Sequence, residues 1–394
     1  MRIGIDCRLW NQSGVGRYTR NLIEQLQLID KNNEYVLFAG RDIESQIVKQ
    51  IQGDNFRVVI AGIHWHSLEE QVRFPGILNK ENLDLVHFPY FSVPVFYKKP
   101  FIVTIHDLII DHFPTGEAST LLPFTYKSKR LGYKFIIKKA AKKAKKIITV
   151  SNSTKKEIVD HLKVDPDKIT VTYEGTMKMS NIKYPMSNIQ LKNKDYFLYV
   201  GNAYPHKNLE RLIEAFNRLC RPELVSRSHL KGKKDSSPAK LDQNDTKLVL
   251  VGREDFFYKR LKDKVEKLGL EGSIIFKGEV DDDKLQNLYQ NAKALIMPSL
   301  MEGFGLPIIE AMANKCLVLC SDIPSFKEIA LSCAIYFDPS SSCDIAEKMR
   351  EICSNDLNHD IKYKDKIQKG FERSKEFSWE KMAKETLRVY NSAK

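Results

Sequence analysis

The chain has 394 residues, of which 42% are hydrophobic and 29% charged, and its formal net charge is +13. This length is too great for one ordinary core and predicts two domains. The sequence has no apolar run near about 18 residues and no secretory apolar region. It therefore predicts a cytoplasmic protein that could bind the inner face of the membrane peripherally. Seven scattered cysteines without a C-x-x-C pair favour reduced thiols over a disulfide framework or a structural zinc site.

Short β-branched runs alternate with helical patterns along the first half of the chain. The predicted strands are RIGID, EYVLFAG, FRVVIAG, LDLVHFP, PFIVTIHDL, KKIITVS and KITVTYEG, and predicted helices include GVGRYTRNLIEQLQLI and NSTKKEIVDHLKV. The strand runs lack polar alternation. This pattern indicates strands covered by helices on both faces, as in a parallel sheet.

The same cycle of strand, glycine and helix recurs after a polar stretch near Lys178–Lys194. We therefore predict an α/β protein with two doubly wound Rossmann-like domains, residues 1–180 and 190–376, that face each other across a cleft and bind ligand at the carboxyl ends of their strands. A last helix at about residues 378–394 could return to the first domain. Residues 221–246 are polar and poor in large apolar side chains, which predicts a mobile surface insertion.

The segment Lys127–Lys146 holds ten basic residues and no acidic one. Apolar residues recur through it with helical spacing and predict one amphipathic helix with a cationic face: Leu131, Phe135, Ile136, Ile137, Ala140, Ala141 and Ala144. That face is either a solvated surface or a contact with anionic lipid headgroups, where each basic residue contributes about 1 kcal/mol. No aromatic interleaving supports nucleic acid as a partner.

The stretch EGFGLPIIE places two carboxylates, Glu302 and Glu310, around a glycine-rich turn. Gly303 and Gly305 allow the backbone to approach a ligand, and the helix predicted from Leu306 presents free N–H groups that favour an anion. The carboxylates would repel an anion but can accept hydrogen bonds from hydroxyls, so the pattern fits a nucleotide sugar. The alternative is that Glu310 only favours the helix start and Glu302 is merely solvated.

EGFGLPIIE resembles the E-x7-E signature of retaining glycosyltransferases of the GT-B fold, specifically family 4. The blocks SGVGRYTRNL, FIVTIHDL, AKKIITVSNSTKKEIV, YVGNAYPHKNLERLIEAF and SDIPSFKEI resemble family blocks in the same order. The resemblance implies transfer of a hexosyl group, from GDP-mannose in preference to UDP-glucose, to a hydroxyl of a glycan or lipid-linked acceptor in surface polysaccharide or lipopolysaccharide synthesis. It implies no metal and no further cofactor.

The resemblance also implies roles for individual residues. Glu302 would bind donor-sugar hydroxyls, Glu310 would hold the ribose diol, and Lys207 would neutralise the diphosphate. His106, which follows the strand FIVTI, would reach the donor sugar. The remaining donor-site residues are Gly303, Phe304, Gly305 and Leu306 beside the sugar and phosphates, and Gly14 and Gly16 in the first loop, which would touch donor phosphate or acceptor.

One departure from the family concerns Asn202, which stands where many members have an arginine. This leaves the diphosphate short of a cation, and we predict that Arg253 substitutes for it. Asn208 is predicted to cap the helix after Lys207. The run Asp281–Asp283 precedes a helical pattern, so we predict Asp281 or Asp282 as an N-cap rather than a metal ligand.

No side chain is obviously placed as a nucleophile, so the sequence favours a same-face mechanism in which the departing phosphate accepts the acceptor proton. Alternatives left open are a sugar-nucleotide epimerase of the GT-B fold and a basic membrane-surface protein without catalysis. A nicotinamide-dependent oxidoreductase is disfavoured, because GVGRYT ends in Thr19 where the dinucleotide fingerprint needs a third glycine.

Overall fold

The computed structural model describes residues 1–113, 123–176, 195–221, 246–354 and 360–393, with backbone only at Ser13 and at 123–129. The described chain divides into unit 1, Met1–Gly175 with Phe377–Lys394, and unit 2, Thr176–Glu376. The polar stretch Lys178–Lys194 and nearly all of the predicted insertion at 221–246 lie outside the described residues.

In unit 1 seven strands form a parallel sheet in the order β3-β2-β1-β4-β5-β6-β7. These are β1 Arg2–Asp6, β2 Glu34–Ala39, β3 Phe56–Ile60, β4 Leu85–Phe88, β5 Phe101–Ile105, β6 Lys146–Thr149 and β7 Ile169–Val171. Each lies in one of the runs predicted to form strands. The buried centres of β4 and β5 have no polar alternation because helices cover both faces of the sheet.

The helices of unit 1 are α1 Ser13–Ile29, α2 Glu44–Gln50, α3 Leu68–Lys80, α4 Ile109–His112, α5 Pro123–Lys143, α6 Asn152–Leu162 and the C-terminal α14 Trp379–Ser392. The side chains of Ser67 and Ser151 accept backbone N–H bonds and so cap α3 and α6. The C-terminal helix packs on α1. A Cβ at Gly175 would lie 2.2 Å from the Trp379 nitrogen. Residue 175 must therefore be a glycine, because the start of α14 packs directly against it.

The basic segment Lys127–Lys146 differs from its prediction. It is not one helix, because α5 ends at Lys143 and β6 begins at Lys146. Its apolar residues also divide between two sides of the helix: Ile137, Ala140, Ala141 and Ala144 are buried, whereas Leu131 and Phe135 are exposed. At 3.6 residues per turn, Phe135 projects roughly opposite to Ile137, so the two cannot share a buried face.

Unit 2 holds a second parallel sheet, of six strands in the order β10-β9-β8-β11-β12-β13. The strands are β8 Tyr196–Val200, β9 Lys247–Val251, β10 Ile274–Gly278, β11 Ala294–Met297, β12 Val318–Ser321 and β13 Ala334–Phe337. Within the described residues its helices are α7 Leu209–Cys220, α8 Phe256–Lys267, α9 Asp282–Asn291, α10 Leu306–Ala313, α11 Pro324–Ala330, α12 Ser342–Ser354 and α13 Ile361–Ser374. The prediction of two Rossmann-like α/β sheets is confirmed, although β13 was not predicted.

Within the described ranges, no helix is both long enough and apolar enough to cross a membrane.

Candidate active site

The centre of the unit 2 sheet is a topological switch point. Strands β8 and β11 are neighbours there, but the chain continues from β8 toward β9 and from β11 toward β12, on opposite sides. The loops that follow the two strands therefore diverge and leave a crevice at the carboxyl edge, which is where open α/β sheets bind ligands. Lys207 lies on the loop after β8 and Glu302 on the loop after β11.

Lys207 and Glu302 form the polar centre of this crevice. Lys207 Nζ donates to Glu302 Oε1 over 2.5 Å, and Ser299 Oγ donates to the same oxygen over 2.8 Å. Burial raises the pKa of Glu302, but the electrostatic effects of Lys207 and His206 and the hydrogen bonds from Lys207 and Ser299 together outweigh this effect, so the net pKa lies below its usual value. Glu302 is thus a partly buried, paired carboxylate whose side chain is only 10% exposed, which contradicts the alternative that it is merely solvated.

The neighbours of Lys207 tie its loop to the loop after β11. The Leu300 N–H donates to the His206 carbonyl over 2.7 Å. The side chain of Asn208 donates to the carbonyls of Pro298 and Pro339 over 3.0 and 2.8 Å. The prediction that this side chain caps the following helix is wrong. Asn208 occupies the N-cap position of α7 in a left-handed backbone conformation, but its side-chain amide donates to these carbonyls and does not cap the helix. The amide instead fixes the position of Lys207.

His206 is buried beside Lys207. Its burial, together with the charge of Lys207, lowers the pKa of the imidazole to about 4. The ring is therefore neutral near pH 7, and Lys207 is the cation of this loop.

The glycine turn before α10 depends on Gly305. Its φ of +107° is strained for other residues, and a Cβ there would lie 2.9 Å from the Phe326 ring. The helix begins at Leu306 with Pro307 in its first turn, as predicted.

Further along, Glu310 is buried in α10 and accepts a 2.9 Å hydrogen bond from the Tyr289 hydroxyl. One Glu310 oxygen is thereby oriented by α9.

Asn202 and Arg253 follow the neighbouring strands β8 and β9. A Cβ at Gly252 would lie 2.0 Å from the Gly201 carbonyl oxygen, so the two loops approach closely. The Asn202 carbonyl accepts a 2.6 Å bond from the Tyr199 hydroxyl, while Arg253 is exposed. The loop after β9 therefore carries the Arg253 cation next to the loop that holds Asn202.

His106 belongs to unit 1, where it follows β5. Its Nε2 lies 2.9 Å from the Pro89 carbonyl oxygen and its Nδ1 lies 3.5 Å from Glu174 Oε1. The Tyr18 ring contacts the imidazole edge to face, with centroids 5.0 Å apart. A ring held from three directions has a fixed orientation.

Gly14 and Gly16 lie in the first turn of α1 and differ in their surroundings. A Cβ at Gly16 would lie 2.2 Å from the Trp10 carbonyl oxygen, whereas Gly14 is exposed with open space around it. Close packing therefore explains why residue 16 is a glycine, whereas the open space at Gly14 leaves the start of α1 accessible.

The predicted N-cap at Asp281 is confirmed, since its side chain accepts the Lys284 N–H over 2.8 Å. In the described ranges, no group of three or more histidine, cysteine, aspartate or glutamate side chains could hold a metal ion.

Sequence reasoning missed three residues that orient the candidate groups. Ser299 supports Glu302, Tyr289 supports Glu310, and Glu174 faces His106. Ser299 lies three residues before Glu302, a spacing that could have indicated it. Tyr289 and Glu174 are distant in sequence from their partners, so no local signal identifies them.

Two family models match the chain, "Glycosyltransferase Family 4" over residues 12–176 and "Glycosyl transferases group 1" over residues 185–370. The chain is 29% identical to the O-antigen chain mannosyltransferase RfbU of Salmonella typhimurium, over 70% of this chain and 65% of that protein. It is 26% identical to O-antigen chain mannosyltransferase B of Escherichia coli, over 96% of both chains. Among solved structures, Anabaena HepE in complex with UDP and glucose superposes with a TM-score of 0.72 at 15% identity, over 99% of both chains.

Proposed function

We propose that this chain transfers mannose from GDP-mannose to a hydroxyl of a glycan or lipid-linked glycan, with retention of configuration. It is a glycosyltransferase of the family 4 type with the GT-B fold, and it acts in surface polysaccharide synthesis. UDP-glucose is the second choice of donor. The observation that carries the proposal is the partly buried Lys207–Glu302 pair at the switch point of unit 2. The two O-antigen mannosyltransferases, similar over most of this chain, favour mannose.

The crevice suits the charges of a nucleotide diphosphate sugar. Glu302 is a carboxylate with a second oxygen available for sugar hydroxyls, and each such charge-assisted bond contributes about 1.5–3 kcal/mol. Lys207 supplies positive charge for the diphosphate, assisted by Arg253 and by the N–H groups where α10 begins. Glu310, oriented by Tyr289, would accept hydrogen bonds from the ribose diol.

The proposed reaction proceeds on one face of the donor sugar. The acceptor oxygen bonds to the anomeric carbon while the bond from that carbon to the phosphate oxygen breaks. The acceptor proton moves to the departing phosphate oxygen, so no protein nucleophile is needed. Lys207 would stabilise the negative charge that develops on the diphosphate, and the fixed dipole of His106 would assist at the sugar.

Two measurements test the proposal. Thermal-shift titration with GDP, UDP and ADP sugars should give the largest stabilisation with GDP-mannose, and NMR of the product should show the donor's anomeric configuration. An inverted product, or a trapped glycosyl-enzyme adduct, would contradict the same-face mechanism. Turnover of the donor without any acceptor would favour the epimerase alternative.

Peripheral contact of the Lys127–Lys146 segment with an anionic membrane belongs to the same proposal, because a lipid-linked acceptor is presented at a membrane surface. The density of basic residues in the segment supports it.

A further inference from the structure

Exposed apolar side chains are concentrated on one side of unit 1. Among the described residues, eleven large apolar or aromatic side chains are exposed, and five of them belong to α3, α5 and the loop between β4 and β5. Their exposed fractions are 87% for Leu68, 72% for Val72, 63% for Phe96, 71% for Leu131 and 59% for Phe135. Water-exposed clusters of this kind mark interaction sites rather than ordinary surface.

The three segments are neighbours on the same side of the sheet. The Val95 N–H donates to Gln71 Oε1 of α3 over 2.8 Å, and the Val95 carbonyl accepts from Lys143 Nζ of α5 over 3.4 Å. At the other end of the loop, the Phe91 ring contacts both His66, just before α3, and Tyr133 of α5. The loop thus lies between the two helices. We call these three segments together the α3/α5 face.

On α5 the apolar and basic residues share one outward stripe. Leu131, Phe135, Lys138 and Lys142 are spaced i, i+4, i+7 and i+11, so they project in nearly the same direction, away from the buried Ile137 and Ala141. Lys139 Nζ lies 5.2 Å from the centre of the Phe135 ring. A stripe of this composition suits the boundary between headgroups and acyl chains, where rings and leucines enter and ammonium groups stay among the phosphates.

On α3 the exposed apolar pair lies on the side toward the loop. Leu68 and Val72 are one turn apart, adjacent to Gln71, which holds Val95. The charged pair Glu69 and Arg73 lies on the adjoining exposed flank of the helix, about 100° around from Leu68 and Val72. The apolar side chains of α3 therefore extend the surface that α5 and Phe96 begin.

We propose that the α3/α5 face inserts Leu68, Val72, Phe96, Leu131 and Phe135 into the surface layer of an anionic lipid bilayer, with Lys138 and Lys142 on the phosphates. This goes beyond contact through charge, because the apolar side chains enter the membrane. A second copy of the chain suits the face poorly, since two identical lysine stripes would repel each other. The centres of protein interfaces are also depleted in lysine.

Vesicle cosedimentation of the full chain tests the proposal. The wild type should sediment with vesicles of phosphatidylcholine and phosphatidylglycerol and stay in solution with phosphatidylcholine alone. Leu131→Ser/Phe135→Ser should weaken binding about tenfold or more, from the lost apolar burial. Lys138→Glu/Lys142→Glu should weaken it at least about 25-fold, since each lysine contributes roughly fivefold.

The matched control is Leu28→Ser/Ile361→Ser, which removes equally exposed apolar residues from α1 and α13 and should leave vesicle binding unchanged. Unchanged binding of Leu131→Ser/Phe135→Ser would overturn insertion in favour of charge alone. Concentration-dependent dimers that this variant abolishes, without vesicle binding by the wild type, would overturn the proposal in favour of a second copy.

This inference stands apart from the proposed donor chemistry. Stabilisation by a GDP sugar in a thermal-shift assay should be the same for the wild type and both α3/α5 variants, so failure of membrane insertion and failure of donor binding are distinguishable.

Discussion

Lys207 Nζ lies 2.5 Å from Glu302 Oε1, although 94 residues separate the two in the chain. The pair joins the loops that leave two adjacent strands at the centre of unit 2. It holds a carboxylate and an ammonium group in fixed positions with little exposure to water. If the proposed donor binds here, this fixed arrangement would reduce the ordering cost of binding.

Replacing the carboxylate of Glu302 should impair transfer. Glu302→Gln keeps the shape of the side chain but weakens its hydrogen bonds to donor hydroxyls, and we expect kcat/KM to fall about 10-to-150-fold per bond lost. Steady-state kinetics with GDP-mannose measure the effect. Glu254→Gln is the control, since Glu254 pairs with Lys262 on the surface, and full activity of Glu302→Gln would refute the site.

Removing Lys207, the other member of this partly buried pair, should destabilise unit 2. Lys207→Met leaves Glu302 in the same partly buried position without its cation, which costs on the order of 3 kcal/mol. In the double variant Lys207→Met/Glu302→Gln much of that loss should be recovered, as a double-mutant cycle of urea unfolding would measure. The exposed pair Lys262 and Glu254 should give a coupling below about 1 kcal/mol.

Gly305→Ala should disturb the turn before α10. The φ of +107° and the 2.9 Å approach to Phe326 together predict a loss of about 1–3 kcal/mol. We also expect weaker GDP-mannose binding, because relief of the clash moves the start of α10. Gly272→Ala, where a Cβ meets nothing within 4 Å, should change neither thermal stability nor donor affinity.

His87 should make the stability of unit 1 depend on pH. Its ring lies between the Tyr390 hydroxyl and the Thr104 hydroxyl, each 2.8 Å away, and burial lowers its pKa from 6.5 to about 3. The unfolded chain takes up this proton below pH 6.5 while the folded chain does not until about pH 3. Stability should therefore decrease as the pH falls through that window, by about 1.4 kcal/mol per pH unit from this group.

His87→Gln provides the measurement. The variant should be less stable than the wild type at pH 7 in urea unfolding, and its stability should depend less steeply on pH between 6.5 and about 4. His64→Gln, which removes an exposed ring, should retain the wild-type slope. Equal slopes in the wild type and His87→Gln would show that the buried ring is not the source.

Glu174 should act on transfer through His106. With Nδ1 of the imidazole 3.5 Å from the Glu174 carboxylate, Glu174→Gln should change the orientation and charge environment of the ring. We expect a lower kcat and little change in donor KM. A variant that changes only thermal stability would indicate a purely structural role for Glu174.

The sequence by itself determined the two parallel sheets and most of the candidate crevice in unit 2. Strands that are buried on both faces need continuous apolar runs, and turns that approach phosphate need glycine, so FIVTI, ALIM and EGFGLP carry their conformation locally. These patterns are short-range, and the structure places each predicted strand where its run occurs.

Only the tertiary structure decided which side chains meet and which apolar residues stay exposed. Tyr289 reaches Glu310 from another helix and Tyr390 reaches His87 from the far end of the chain, since packing of distant segments sets these contacts. The periodicity of α5 could not show that Phe135 is exposed and Ile137 buried. Helical spacing shows only that apolar residues recur, and the neighbouring elements determine which side of the helix is covered.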